Sequence, residues 1–150
     1  MTIERAAVDS DESKRLVAEL WAEVDRIYGN PDPTMPDSRG MDAPEAAFLI
    51  ARDGARPIGC VGLRPIAADI AEVKRLYVQP GSRRAGVARR LMEALEAEAR
   101  AAGFKEIWLE TGLGQPAAIT LYESLGYEKI ASFGEYAHDP VSVCYGKRLT

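Results

Sequence analysis

Residues 72–92 read EVKRLYVQPGSRRAGVARRLM, a strand joined to a helix by a turn rich in Gly and Arg. The strand runs over residues 71–78 and the helix over 86–102, where Val87, Leu91, Leu95, Ala99 and Ala102 form one apolar stripe. Such a junction brings several backbone N–H groups together at the helix N-terminus, the positive end of the macrodipole. Arg83, Arg84 and Gly86 stand where those amides attract an anion such as phosphate, and Gly86 and Ala88 are small enough to admit its oxygens. The plainer alternative makes Arg83, Arg84, Arg89 and Arg90 a solvated helix face. The turn lacks the Gly-Lys-(Ser/Thr) ending of a nucleoside triphosphate loop and the three glycines of a dinucleotide fingerprint, so neither ligand is expected.

Downstream of this unit, Gly103 ends the helix and residues 105–110 form a strand. Gln115-Pro116 opens a helix whose Ala118, Leu121, Tyr122 and Leu125 face inward, stopped by Gly126, and residues 127–132 and 141–149 are two further strands. Upstream, residues 45–52 and 57–65 are strands separated by Asp53-Gly54-Ala55-Arg56, a hairpin signal, so three antiparallel strands in a row are expected. Residues 29–44 carry Pro, Gly and Asp without periodicity and read as a loop. Before them, Leu16, Leu20, Val24 and Ile27, widened by Val17, Trp21 and Tyr28, mark an amphipathic helix, with Asp9 and Glu12 spaced as a capping box behind a short strand over residues 2–8. The order β-α-β-β-β-α-β-α-β-β predicts an α/β (α+β) fold: a mixed, mostly antiparallel sheet of about seven strands with helices on both faces, one domain over residues 1–150.

Composition narrows the function classes. A net charge of −4 argues against sequence-independent nucleic-acid binding, which needs a surplus of Lys and Arg, and suits a cationic substrate. Cys60 and Cys144 lie apart in apolar alternating segments, too few and too dispersed for a disulfide scaffold or a zinc site, so no metal is expected. The opening MTIERAAVDSDESK has no apolar core and no run approaches the ~20 residues that cross a bilayer, so neither a signal peptide nor a membrane association is expected, and a cytoplasmic location follows.

Arg83-Arg84-Ala85-Gly86-Val87-Ala88 resembles the (Gln/Arg)-x-x-Gly-x-(Gly/Ala) motif of the GNAT acetyltransferase superfamily. Leu76-Tyr77-Val78 is similar to that family's bulged strand, and Trp108-Leu109-Glu110 with Gln115 to Tyr127 resembles the strand and helix completing its cofactor site, closest to the ribosomal-protein N-terminal branch. The resemblance covers about a third of the chain. It implies a GNAT fold with a splayed sheet, acetyl-CoA as cosubstrate, transfer of an acetyl group to a primary amine, and a possible homodimer. It further implies that Leu76, Tyr77, Val78, Arg83, Arg84, Ala85, Gly86, Val87, Ala88, Gln115 and Tyr122 bind the cofactor. Gln115 departs from the Asn common at its position, keeping the amide but adding a methylene.

In roles the resemblance implies, Tyr122 matches the tyrosine of Leu-Tyr-x-x-x-Gly-(Phe/Tyr), which serves as general acid near the CoA sulfur. Two carboxylates compete for the base. Glu72 lies fourteen residues before Gly86, as in histone-acetylating members, and Glu110 matches the ribosomal-protein branch. Glu72 is favoured, and either could instead pair with a neighbouring Lys or Arg. The oxyanion donor implied is a backbone N–H near Leu76 or Tyr77. Acceptor recognition is expected from the first helix, the 29–44 loop and residues 133–140, with Asp32, Asp37, Asp42, Glu135 and Asp139 drawing a cationic amine and His138 a less favoured participant. The acceptor is then a small molecule, an amino acid or a peptide terminus; the alternatives are a CoA-binding sensor without catalysis and a protein N-terminal or lysine acetyltransferase.

Overall fold

The computed structural model describes residues 1–29 and 39–150. Seven strands form one sheet in the order β1-β2-β3-β4-β5-β7-β6, with β1 Thr2–Arg5, β2 Ala47–Asp53, β3 Arg56–Pro65, β4 Ile70–Val78, β5 Glu106–Gly112, β6 Glu128–Ile130 and β7 Ser142–Arg148. Only β4 and β5 run parallel; every other neighbouring pair is antiparallel. Three helices, α1 Asp11–Tyr28, α2 Val87–Ala101 and α3 Pro116–Ser124, complete the order expected from the sequence.

The period-two alternation of the strands sorts the core into two layers. On one face Phe48, Ile50, Cys60 and Tyr77 meet Leu16 and Leu20 of α1. On the other, Leu49, Val61, Leu63, Ala71 and Val73 meet the α2 stripe of Val87, Leu91, Leu95 and Ala99, joined by Tyr122 of α3. Leu91 and Leu95 are fully buried, each contributing about 1.5–3 kcal/mol of transfer free energy. At the strip's end Ala102 is the α2 C-cap and exposed, and Ile27 of α1 is also exposed, so the buried faces are shorter than the periodicity suggests.

Other boundaries differ for local reasons. Ser10, not Asp9, caps α1: its backbone is extended and its hydroxyl accepts from the Ser13 N–H at 3.1 Å, while Glu12 is drawn off to the Arg52 guanidinium at 3.0 Å. Strand β1 ends at Arg5 and β6 spans only three residues, because the chain leaves the sheet edge on either side of them. The hairpin turn is Gly54-Ala55, flanked by the pair Asp53 and Arg56, with Gly54 at φ 61°.

The irregularity that matters for function lies in β4. Cys60 pairs with Tyr77 and Gly62 with Lys74, so Val61 of β3 faces two residues, Arg75 and Leu76, across the ladder. Arg75 takes φ 63°, a left-handed conformation uncommon for a side-chain-bearing residue, and its carbonyl accepts from the Cys60 thiol at 3.3 Å. Gly59 permits the close approach of the bulged strand, since a Cβ there would lie 2.8 Å from the Tyr77 carbonyl oxygen. Gly59→Ala is therefore expected to lower stability by about 1–3 kcal/mol through overpacking, read as a shift of the denaturant midpoint; an unchanged midpoint would mean that β4 yields freely.

Candidate active site

Strands β4 and β5 pair over only three steps, Ile70 with Glu106, Ala71 with Ile107 and Glu72 with Trp108. Beyond Glu72 the pairing with β5 stops, and β4 bulges further along, at Arg75 and Leu76. A cleft of about 440 Å³ opens in the gap, walled by Val73, Lys74, Arg75 and Leu76 on one side and Glu110 and Thr111 on the other. Val73 to Leu76 of β4, past Glu72, which have no ladder partner on β5, line this cleft.

Two of the three candidate catalytic residues line it. Tyr122 projects from α3 and Glu110 from β5, both lining the cleft. The Tyr122 ring is buried edge-on against Tyr127 at a centroid distance of 6.0 Å. Burial, then the nearby Glu110 carboxylate, pushes the Tyr122 hydroxyl above its ordinary range, so it is protonated at neutral pH. Glu110 accepts a hydrogen bond from Ser142 at 3.2 Å. Burial raises its carboxyl above the usual carboxylate range, opposed by the Ser142 hydroxyl and the charge of Lys74.

Glu72, the favoured base, is placed differently. It is 1% exposed. One carboxylate oxygen takes two donors from Arg64, Nε at 3.0 Å and Nη2 at 2.9 Å, and the other accepts from Tyr136 at 3.0 Å with the Lys74 ammonium 4.0 Å away. Arg64 stands opposite Glu72 in the β3–β4 register. Both oxygens of this carboxylate are already engaged, and Glu72 is absent from the lining of the cleft. Glu72 instead holds the loop between β6 and β7 in place. Tyr136 from that loop accepts from Lys74 at 2.8 Å and packs edge-on against Phe133, which packs on Trp108 of β5.

At the start of α2, Arg84 has φ 69° and Gly86 φ 77°. The helix begins after Gly86 with no side-chain cap, so its first-turn N–H groups have no capping side chain. A Cβ added at Gly86 would meet nothing within 4 Å, which makes room for an oxyanion at the amides. Ala85 and Arg84 are exposed, Val87 is buried and Ala88 packs on the core. The Arg83 side chain has partners within the chain: its Nε donates to the Val78 carbonyl at 2.8 Å, its Nη2 pairs with Glu23 of α1 at 2.6 Å, and its guanidinium lies over the Tyr77 ring. Its side chain straps α1 to β4. Arg89 likewise reaches Ser124 of α3 at 2.6 Å.

In β4 the remaining residues alternate. Leu76 lines the cleft, Tyr77 turns to the α1 layer and bonds Glu19 at 3.2 Å, and Val78 packs beneath α2. Gln115, at the head of α3, also lines the cleft, and its Oε1 accepts from Tyr28 at 3.1 Å. Two of the three segments expected to recognise an acceptor reach the cleft: α1 through Trp21 and Tyr28, and the 133–140 loop through Glu135, Tyr136 and Asp139. His138 is exposed and absent from the cleft lining. Asp32 and Asp37 lie outside the described residues. Asp42 lines a wider, mainly apolar groove of about 1450 Å³ that shares Trp21, Asp25 and Arg75 with the cleft.

Lys74, Tyr136 and Ser142 escaped sequence reading as site residues. Lys74 left one trace, a charge inside a strand; Tyr136 left none, because its place depends on how a non-periodic loop folds back over β4, and Ser142 left none, because its place beside Glu110 depends on the β5–β7 pairing. Among the described residues no group of His, Cys, Asp and Glu side chains is arranged to hold a metal ion, and no helix is long and apolar enough to cross a membrane.

Residues 14–127 match the Acetyltransferase (GNAT) family. An IAA acetyltransferase of Azospirillum brasilense is 37% identical over 138 residues, 89% of this chain and 90% of that protein. Among solved structures, a candidate acyl-CoA N-acyltransferase of Klebsiella pneumoniae subsp. pneumoniae is 31% identical with a TM-score of 0.84, over 99% of this chain and 97% of that one. An aminoglycoside 6′-N-acetyltransferase crystallised with coenzyme A is alike in fold alone, at 20% identity and a TM-score of 0.76, over 100% of this chain and 98% of that one.

Proposed function

We propose, from the premise that this chain belongs to the GNAT acetyltransferase family, that it moves an acetyl group from acetyl-CoA to the primary amine of a small molecule or amino acid. The observation that carries this reading is that Glu110 of β5 and Tyr122 of α3 line the same cleft beside the β4–β5 gap, one a carboxyl group and the other a phenol that stays neutral at neutral pH.

Acetyl-CoA is a substrate here, and the residues present suit it. The uncapped first turn of α2, with Gly86 and Ala88 bare of bulk and Arg84 exposed beside it, suits the diphosphate. The unpaired inner edge of β4 offers backbone groups to an extended arm in the manner of an added strand. Leu76 and Gln115 then border that arm, and Arg83 serves by fixing β4 against α1.

Chemically, a C–N bond forms at the thioester carbonyl, the C–S bond breaks, and one proton passes from the amine to a base while another reaches the departing sulfur. Glu110 takes the amine proton, directly or through a water; Ser142 orients its carboxylate. Tyr122 gives its proton to the sulfur. Backbone N–H groups at the Arg75–Leu76 bulge are the donors for the developing oxyanion, so no side chain is needed there. The acceptor enters along α1, where the apolar groove leads past Trp21 to the cleft.

The test incubates the protein with acetyl-CoA and panels of amines, amino acids and peptides while free thiol is followed. Turnover confined to small amines or amino acids is expected. Turnover confined to peptides would shift the acceptor to a protein terminus, and CoA binding without turnover on every panel would make the chain a CoA sensor.

A further inference from the structure

Tyr28 is the last residue of α1, and Gly29 behind it turns the chain in a left-handed conformation, its N–H bonding the Asp25 carbonyl at 2.8 Å. The helix end therefore has a fixed direction, and the Tyr28 ring extends across the connection between β5 and α3. Glycines at two positions of that connection leave it space. A Cβ on Gly112 would lie 1.6 Å from the Tyr28 hydroxyl, and one on Gly114 would lie 2.9 Å from the ring. No side chain other than glycine's fits under the ring at Gly112 without displacing it. Across these glycines the hydroxyl reaches Gln115 Oε1 at 3.1 Å, and both residues line the cleft.

Gln115 is one methylene longer than asparagine, which carries its amide about 1.5 Å further from the backbone and adds a rotatable bond. An amide on a longer tether needs an external partner to hold one orientation. The Tyr28 hydroxyl is such a partner: a proton donated to Oε1 fixes which end of the amide is the oxygen, leaving the NH₂ group as the end presented elsewhere. Burial, first, and then the charges of Glu110 and Asp139 raise the Tyr28 phenol above its ordinary range, opposed by a backbone hydrogen bond at Gly114, so the donor proton is retained at neutral pH.

We infer that Tyr28 is a positioning residue for the acyl donor: it locks the Gln115 amide so that its N–H groups are offered to the amide carbonyls of the pantetheine arm. The inference rests on acetyl-CoA being the donor. It also gives α1, the acceptor-side wall, a direct link to the donor side, with the two glycines as the passage through which the link is made.

The test compares CoA and 3′-phospho-ADP, a fragment lacking the pantetheine arm, by calorimetry on the full chain. Tyr28→Phe keeps the ring over Gly112 and Gly114 and removes only the hydroxyl. Its CoA affinity is expected to fall about three- to tenfold, with 3′-phospho-ADP unaffected. Gln115→Ala is expected to weaken CoA similarly, and the double variant to be no weaker than Gln115→Ala alone, because the two act through one amide. Equal CoA affinity in wild type and Tyr28→Phe, an equal loss for the fragment, or additive effects in the double variant would each overturn the inference. If the wild-type protein bound neither CoA nor the fragment, the acetyl-CoA reading itself would fail, a result distinct from these.

Discussion

Tyr122→Phe is expected to lower turnover about 10²–10⁴-fold, the range that general acid catalysis supplies, while CoA affinity stays close to that of the wild type. The substitution removes one oxygen and leaves the packing intact, since the ring is buried against Tyr127 and belongs to the core cluster beneath α2. Tyr127 is held independently, its hydroxyl donating to the buried Glu96 carboxylate at 2.9 Å. The lost function is thus confined to the proton. Because burial and then Glu110 raise the Tyr122 phenol, it stays protonated near neutrality and stands there as a proton donor rather than a base. A departing alkyl thiolate is stabilised by that proton. The defect should accordingly shrink with an acyl donor whose thiol is more acidic and leaves without help. Turnover is read from released thiol and affinity from calorimetry. Unchanged turnover would return Tyr122 to a purely structural role.

The parts of the molecule legible in its sequence are those set by neighbours along the chain. The alternation in β2 to β4, the Gly54 turn and the α2 stripe each follow from local pattern, and together they give the layered sheet. What escaped depends on residues far apart. Glu72 and Glu110 are alike as sequence, two strand carboxylates beside apolar neighbours. They are told apart by Arg64, which the hairpin register sets opposite Glu72, and by Ser142, which the β5–β7 pairing brings beside Glu110. Arg83 shows the same dependence. Its position in the turn suggests an anion ligand, yet Glu23, sixty positions earlier in the chain, claims its guanidinium. Charged side chains settle on whichever partner the tertiary fold supplies, and a strand-turn-helix pattern carries no record of α1.

That difference makes the two carboxylates separable in a single pair of variants. Glu110→Gln is expected to lose about 10²–10⁴-fold in kcat/KM near neutral pH and, with it, the acidic limb of the pH–rate profile. The amine must surrender a proton to the ionised carboxylate, so wild-type activity rises as Glu110 deprotonates. Burial raises that carboxyl, so the limb lies above the usual carboxylate range. Stability should move the opposite way. A carboxyl raised in the folded state favours folding while protonated, and that contribution is present below the unfolded-state value and disappears as the pH climbs through the folded-state value. At neutral pH the ionised Glu110 therefore opposes folding, and glutamine, which still accepts from Ser142, should melt somewhat higher than the wild type. Glu72→Gln should do the reverse. It withdraws the carboxylate from Arg64, whose side chain is 10% exposed, and breaking a buried pair costs about 3–5 kcal/mol; it also loosens Tyr136 over the cleft. A protein much less stable, with reduced turnover but an acidic limb still in place, is the expected outcome. If the limb vanished from Glu72→Gln and survived in Glu110→Gln, the base would be Glu72, and the Arg64 pair would have to open during the reaction.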